Sequence, residues 1–156
     1  MNVLKFPLLL LVTLSFALAL SGCKKDEPCD QEPNLTVNKE QLQADIETID
    51  AYLKKNNIQA ETHPSGIRYV IGKAGSGATP TLCGSVGVAY QGRLLSNNYN
   101  FDGTESPRNF DLNRLILGWQ IGIPLIKPGG RITLYIPSVY GYGSRGAGQD
   151  IPPNAN

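Results

Sequence analysis

Residues 114–126, RLILGWQIGIPLI, constrain this chain more than any other stretch. Leu115, Ile116, Leu117, Ile121 and Ile123 point apolar side chains in nearly every direction, which suits a short helix covered on most sides rather than an amphipathic surface helix. Such a helix needs a sheet around it. Pro124 and the run Lys127-Pro128-Gly129-Gly130 end it, because proline cannot continue the hydrogen-bond ladder and paired glycines permit a tight turn. The segment holds Trp119, the only tryptophan of the chain. From this stretch alone Trp119 is either an ordinary core residue or the floor of a ligand pocket.

The beginning of the chain belongs to export rather than to a fold. A short positive start with Lys5 is followed by mostly apolar residues 6–20, too few to span a bilayer comfortably and suited to a signal peptide. The segment ends in Leu20-Ser21-Gly22-Cys23, which resembles the bacterial lipobox. Residues 1–22 are therefore expected to be a lipoprotein signal peptide and Cys23 the lipidation site, the alternative being a non-lipidated secretory signal with a chance cysteine. Several acyl chains on Cys23 would hold the protein firmly on a membrane, since each buried methylene contributes about 0.8 kcal/mol. The expected location is the cell envelope, with the protein lipid-anchored to the outer membrane and facing the periplasm.

Lys5 is the only charge in residues 1–22, so its removal takes 14 basic against 13 acidic residues to an even balance. A neutral chain has no basic field of the kind that nucleic acid requires, which excludes nucleic-acid partners. What remains is enough for one domain and a tether. Residues 23–38 carry Pro28, Pro33, four acids and few apolar side chains, and read as a disordered tether. Cys29 and Cys83 could pair in an oxidising envelope or remain two thiols, and spacing does not decide between these.

Between residues 39 and 57, Leu42, Ile46, Ile49 and Leu53 recur at steps of four, three and four, the pattern of an amphipathic helix. Asn38 can cap it, Glu40 and Glu47 complement its N-terminal dipole, and Lys54 and Lys55 its C-terminal one. This gives a helical N-terminal extension over 39–64, packed on the domain or on a second copy. His63 is the only histidine, so triads and multi-histidine metal sites are excluded, and it reads as a loop residue. Residues 72–77, GKAGSG, lack the ending of a phosphate loop and form a turn. Strands are predicted over 67–71, 86–95 and 131–136, with an edge segment at 101–104.

Five motifs follow in order: Tyr90-Gln91-Gly92, Phe101-Asp102, Leu115-Ile116-Leu117-Gly118-Trp119, residues 137–143 (PSVYGYG) and residues 151–155 (IPPNA). Together they resemble the FKBP-type peptidyl-prolyl cis-trans isomerases, over residues 65–156. The resemblance implies an α+β fold, an antiparallel sheet curled around one short helix, which agrees with the reading of residues 114–126. It implies catalytic roles for Tyr90, Phe101, Asp102, Ile116, Trp119 and Tyr142, with Leu115, Ile151 and Arg108 as further substrate contacts. Trp119 would be the floor under the proline ring. The Ile116 N–H and the Tyr142 hydroxyl would donate to substrate carbonyls, and Asp102 would be paired within the site rather than act as a base.

The chain departs from the family pattern at Arg108 and Asp150, where apolar residues are common. Arg108 either pairs with Asp102 or partly blocks the pocket. The function implied is isomerisation of X-Pro bonds in folding cell-envelope proteins, with no cofactor and no metal. Its partners would be proline-containing unfolded or partly folded polypeptides and, through the lipid, a membrane, in a cleft able to take macrolide inhibitors. The alternative is a catalytically weak chaperone that uses the same cleft. The family also has a strand after the IPPNA motif, in the middle of the sheet between the strands matching 131–136 and 86–95. Residues 65–156 are therefore expected to be a C-terminally incomplete domain.

Overall fold

The computed structural model describes residues 31–156. The expected signal peptide, Cys23 and Cys29 lie outside the described residues. Residues 31–38, the described part of the expected tether, have no regular secondary structure. The first helix, α1 (Lys39–Lys55), starts where the sequence signals it: the Asn38 side chain accepts from the Gln41 N–H at 3.0 Å, satisfying one of the orphan donors of the first turn. Ile49 and Leu53 are buried, and Leu42 and Ile46 are half-buried beside them. The helix packs on its own domain. Ile46 lies over Gly66, where any β-carbon would come within 2.7 Å of it, and Arg68 forks onto the Asp50 carboxylate with two bonds of 2.8 Å.

Strands β1 (Glu61–Thr62), β2 (Arg68–Lys73) and β5 (Arg131–Tyr135) form one antiparallel sheet in the order β1-β2-β5. Strands β3 (Ser85–Arg93) and β4 (Asn100–Asp111) form a second. The expected antiparallel sheet around a short helix is present, and among the described residues it is in two pieces, β3 pairing only with β4 and β5 only with β2. The helical extension over 39–64 is corrected, because Glu61 and Thr62 pair with Tyr69 and Arg68 and belong to the sheet.

The segment around Trp119 bridges the two pieces. It comprises a 3-10 turn (Leu112–Arg114), helix α2 (Leu117–Gly122) and a second 3-10 turn (Ile123–Leu125) that contains Pro124. One side of α2 carries Gly118 and Gly122, four residues apart and therefore on one face. A β-carbon at Gly118 would lie 2.5 Å from Ile136 Cγ2, and one at Gly122 would lie 2.3 Å from Leu134 Cδ1. The glycines let the helix backbone lie directly on β5 and the residue after it. Ile67, Ile121 and Tyr140 form the core behind this contact, and Leu112, Leu94 and Ile151 are buried elsewhere. Each fully buried aliphatic side chain contributes about 1.5–3 kcal/mol.

Strand β3 alternates half-buried and exposed residues along its whole length, the period of a sheet with one covered face. Its inward set is Val86, Val88, Tyr90 and Gly92. Strand β4 runs far beyond the predicted edge segment, to Asp111, because a bulge absorbs Glu105, Ser106 and Pro107 opposite Ala89. Proline is tolerated there since a bulge needs no ladder N–H. Cys83 is disulfide-bonded.

Candidate active site

The open side of α2 faces the β3–β4 sheet. The Tyr90 ring meets Trp119 edge-on, with centroids 4.9 Å apart and planes at 86°. Phe110, from β4, meets Trp119 at 6.0 Å and 87°, and Tyr90 at 6.1 Å and 71°. Edge-to-face pairs of this kind are worth about 0.5–1.5 kcal/mol each beyond burial. Trp119 is half-buried, with part of its surface accessible from this side.

A second aromatic pair stands at the rim. The Phe101 ring lies over the Gly92 backbone, where a β-carbon would come within 2.6 Å of it, and meets Tyr142 edge-on at 6.1 Å and 88°. Glycine at position 92 is what makes room for the ring. Asp102, next to Phe101, joins the two groups. One of its oxygens accepts from the Tyr90 hydroxyl at 2.5 Å and the other from the Gly103 N–H at 2.8 Å. The partner of Asp102 is therefore Tyr90, not Arg108, which is exposed and forms no ion pair among the described residues.

The electrostatics follow from this pairing. The hydrogen bond to Asp102, then burial, pushes the Tyr90 hydroxyl above the ordinary tyrosine value. Burial first and the Asp102 charge second push the Tyr142 hydroxyl up as well. Both hydroxyls are protonated throughout the physiological range. Ile116 is the residue that caps α2: its carbonyl accepts from the Trp119 and Gln120 N–H groups at 2.9 and 3.2 Å, while its own N–H has no acceptor among the described residues. Leu115 is half-buried beside it, and its carbonyl accepts from the Gln120 side chain at 2.7 Å.

Of the residues singled out by sequence, Tyr90 thus joins Trp119 by a ring contact and Asp102 by a hydrogen bond, Phe101 and Tyr142 form a second pair linked to the first only by Phe101 preceding Asp102 in the chain, and Ile116 lies at the start of the helix that carries Trp119. Ile151 is apart from them. It is buried in a bridge with Ala147, and no ring or hydrogen-bond contact ties it to the aromatic group among the described residues. Asp150 accepts from the Tyr99 hydroxyl at 3.0 Å, linking the turn after β3 to the loop before Ile151. His63 is a loop residue whose Nδ1 accepts from the Ser65 N–H at 3.1 Å. Phe110 is a wall residue that none of the sequence motifs includes. Only the strand pairing, which sets it opposite Val86, brings it to the inward face.

A sequence model described as FKBP-type peptidyl-prolyl cis-trans isomerase matches residues 77–156, half of the chain. The chain belongs to this family. It is 40% identical over 123 residues to the probable FKBP-type peptidyl-prolyl cis-trans isomerase FkpA of Neisseria meningitidis, covering 76% of this chain and 45% of that protein. It is 34% identical over 110 residues to the outer membrane protein MIP of Legionella longbeachae, covering 67% of this chain and 47% of that protein. The chain therefore spans less than half the length of these two relatives. Among solved structures, the peptidyl-prolyl cis-trans isomerase of Pseudomonas syringae superposes with a TM-score of 0.62 at 29% identity, over 72% of this chain and 86% of that one. The FKBP fold is thus shared.

Proposed function

We propose that this chain is a peptidyl-prolyl cis-trans isomerase acting on proline-containing segments of unfolded or partly folded cell-envelope proteins. The observation that carries the reading is the half-buried Trp119 face walled by Tyr90 and Phe110, with an unused Ile116 N–H at the helix start. An X-Pro amide is planar and dipolar through resonance, with a barrier of roughly 18–20 kcal/mol and uncatalysed exchange in tens to hundreds of seconds. Twisting the bond by 90° removes the resonance and its dipole. An apolar, water-poor wall disfavours the planar ground state relative to the twisted one, and donors that bind only the twisted carbonyl add to the difference. Lowering the barrier by about 6 kcal/mol raises the rate by four to five powers of ten. No nucleophile or titrating base is needed for this.

In this reading the proline ring lies on Trp119 and the Ile116 N–H and Tyr142 hydroxyl hold the flanking carbonyls. Asp102 keeps Tyr90 and its own backbone in place, Leu115 lines the entrance, and macrolide inhibitors compete for the same surface. Arg108 and Ile151 act further along the substrate. The test is exchange of a short proline peptide, followed by NMR. The chain should accelerate it in proportion to its concentration, and exchange at the uncatalysed rate would overturn the reading.

The reading includes acylation at Cys23 and retention at the cell envelope, on the outer membrane. It is supported by the lipobox-like sequence and by a relative whose name is outer membrane protein MIP. No helix of the described residues is long and apolar enough to cross a membrane, so attachment of this part would fall to the lipid. Mass spectrometry of the N-terminal peptide should find acyl chains on Cys23. An unmodified Cys23, or a Cys23→Ser protein that still fractionates with membrane, would refute the anchor.

A further inference from the structure

Asp45 is a carboxylate only 2% exposed, in the middle of α1, on a helix that lies outside the family match. Burying a charge costs several kcal/mol unless it is well bonded, and an apolar side chain would have continued the Leu42-Ile46-Ile49-Leu53 stripe at no such cost. Something about the carboxylate itself is therefore needed here. Its Oδ2 accepts from the Ser138 hydroxyl at 2.7 Å and lies 3.3 Å from the Val139 N–H, and its Oδ1 accepts from Gln41 Nε2 at 2.8 Å. Ser138 is wholly buried, and it opens the 3-10 turn Ser138–Tyr140 that delivers the chain to Tyr142.

The Tyr142 hydroxyl makes no hydrogen bond among the described residues, the residue is 39% exposed, and its one aromatic partner is Phe101. Gly141 stands between it and the turn. The place of the Tyr142 hydroxyl is then set by the backbone on either side: the turn before it is held by Asp45, by the Asn156 side chain accepting from the Ser138 N–H at 2.8 Å and by the Tyr140 hydroxyl donating to the Ser65 carbonyl at 3.0 Å, and the Gly143 carbonyl after it accepts from the Asn154 N–H at 2.9 Å. We infer that Asp45 is a positioning residue for the isomerase site: the N-terminal helix reaches through its carboxylate into the turn before Tyr142 and fixes that side chain against Phe101 at the rim. This rests on the isomerase reading above for its catalytic consequence, but not for its structural one.

The experiment uses the full chain with Asp45→Leu, Asp45→Ala and, as a control on the same helix, Asp50→Ala, which removes the Arg68 ion pair but touches nothing near Tyr142. Leucine keeps the helix docked by packing while offering no acceptor. In Asp45→Leu the unfolding midpoint should fall modestly, because the buried Ser138 hydroxyl and the Val139 N–H lose their acceptor while the helix stays docked. The ligand-free amide resonances of Val139, Gly141 and Tyr142 should shift and lose exchange protection, and kcat should fall about tenfold with KM changed less than twofold. Asp50→Ala should leave both the loop signals and kcat as in wild type. Should Asp45→Leu fail to fold, Ser138→Ala removes one donor with little change of volume and should give the same loop shifts. Unmoved Tyr142 signals in Asp45→Leu, or in Ser138→Ala if that is the variant that folds, would overturn the inference, as would equal loss of kcat in Asp50→Ala. An inactive wild type would overturn the isomerase reading alone, because the loop signals are read without substrate.

Discussion

The two sides of helix α2 do opposite things with the same six residues. Toward β5, Gly118 and Gly122 bring backbone against Ile136 and Leu134 with no room for a methyl group. Toward β3 and β4, Trp119 stands half-buried behind rings whose centroids are 4.9 and 6.0 Å away. The first contact is a close-packed interior, in which a single added carbon is felt; the second is a wall with only its edges fixed. The comparison teaches that rigidity and access are separated across one helix diameter. Substitutions behind α2 should cost stability, and those in front should cost turnover.

The strongest way to break that division is Gly118→Val. The new β-carbon would meet three atoms of Ile136, a β-branched side chain with little freedom at χ1 to move aside. Overpacking of this kind costs up to about 3 kcal/mol, and a β-branched residue recovers little of it through helix propensity. Urea unfolding followed by Trp119 fluorescence should show the unfolding free energy fall by that amount, with a correspondingly lower midpoint. A midpoint within error of wild type would mean that α2 is not seated on β5 as described.

Phe101→Ala tests the other side. The ring is half-buried on Gly92, outside the core, so truncation should cost about 1 kcal/mol of stability, well below the 3–5 kcal/mol of a core phenylalanine. The isomerisation rate should fall about thirtyfold, roughly 2 kcal/mol of transition-state stabilisation. An unchanged rate with a large loss of stability would reverse the assignment of the two sides.

How much of this was legible beforehand differs along the same line. Helix α1 was read almost to its ends, because Asn38 and the spacing of Leu42, Ile46, Ile49 and Leu53 are local signals. Asp45 was invisible, since its partners are 93 and 94 residues away and only the fold brings them together. Of strand β4 only 101–104 is predicted from sequence; Pro107 lacks the N–H of a regular ladder, and only pairing with β3 shows the bulge that accommodates it. The glycines of α2 were in plain view, but a helical spacing of four gains meaning only once β5 is known to lie against it. For the candidate site, periodicity left Trp119 between core and pocket. The grouping of Tyr90, Phe101, Asp102 and Tyr142 came from the family resemblance, and Phe110, which closes the wall, was missed by it.

Tyr90→Phe is a smaller test, aimed at the link between wall and rim. It deletes the hydroxyl that Asp102 accepts and leaves the ring contact with Trp119. The lost bond to an exposed carboxylate is worth about 1 kcal/mol at most, so the rate should drop about threefold to fivefold with the unfolding midpoint nearly unchanged. A drop as large as that of Phe101→Ala would show that the hydroxyl itself touches the reacting bond.

The smallest effect expected below pH 9 is that of pH itself, and its sign follows from the tyrosines. Both Tyr90 and Tyr142 are held above the ordinary tyrosine value of about 10, the first chiefly by its bond to Asp102 and the second chiefly by burial. A group whose value is raised on folding contributes stability that is fully present below its unfolded value and is lost as pH rises through the folded one. Stability from these two hydroxyls should therefore be constant up to about pH 10 and decline above it, when a phenolate must face the Asp102 carboxylate. In the proposed role of Tyr142 as a donor to a substrate carbonyl, turnover should follow the same course, because a phenolate has no proton to donate. In Asp102→Asn the alkaline fall should begin at lower pH, since one cause of the rise is gone while burial of Tyr142 remains. A wild-type fall beginning below the ordinary tyrosine value would contradict the pairing that joins the rim to the wall.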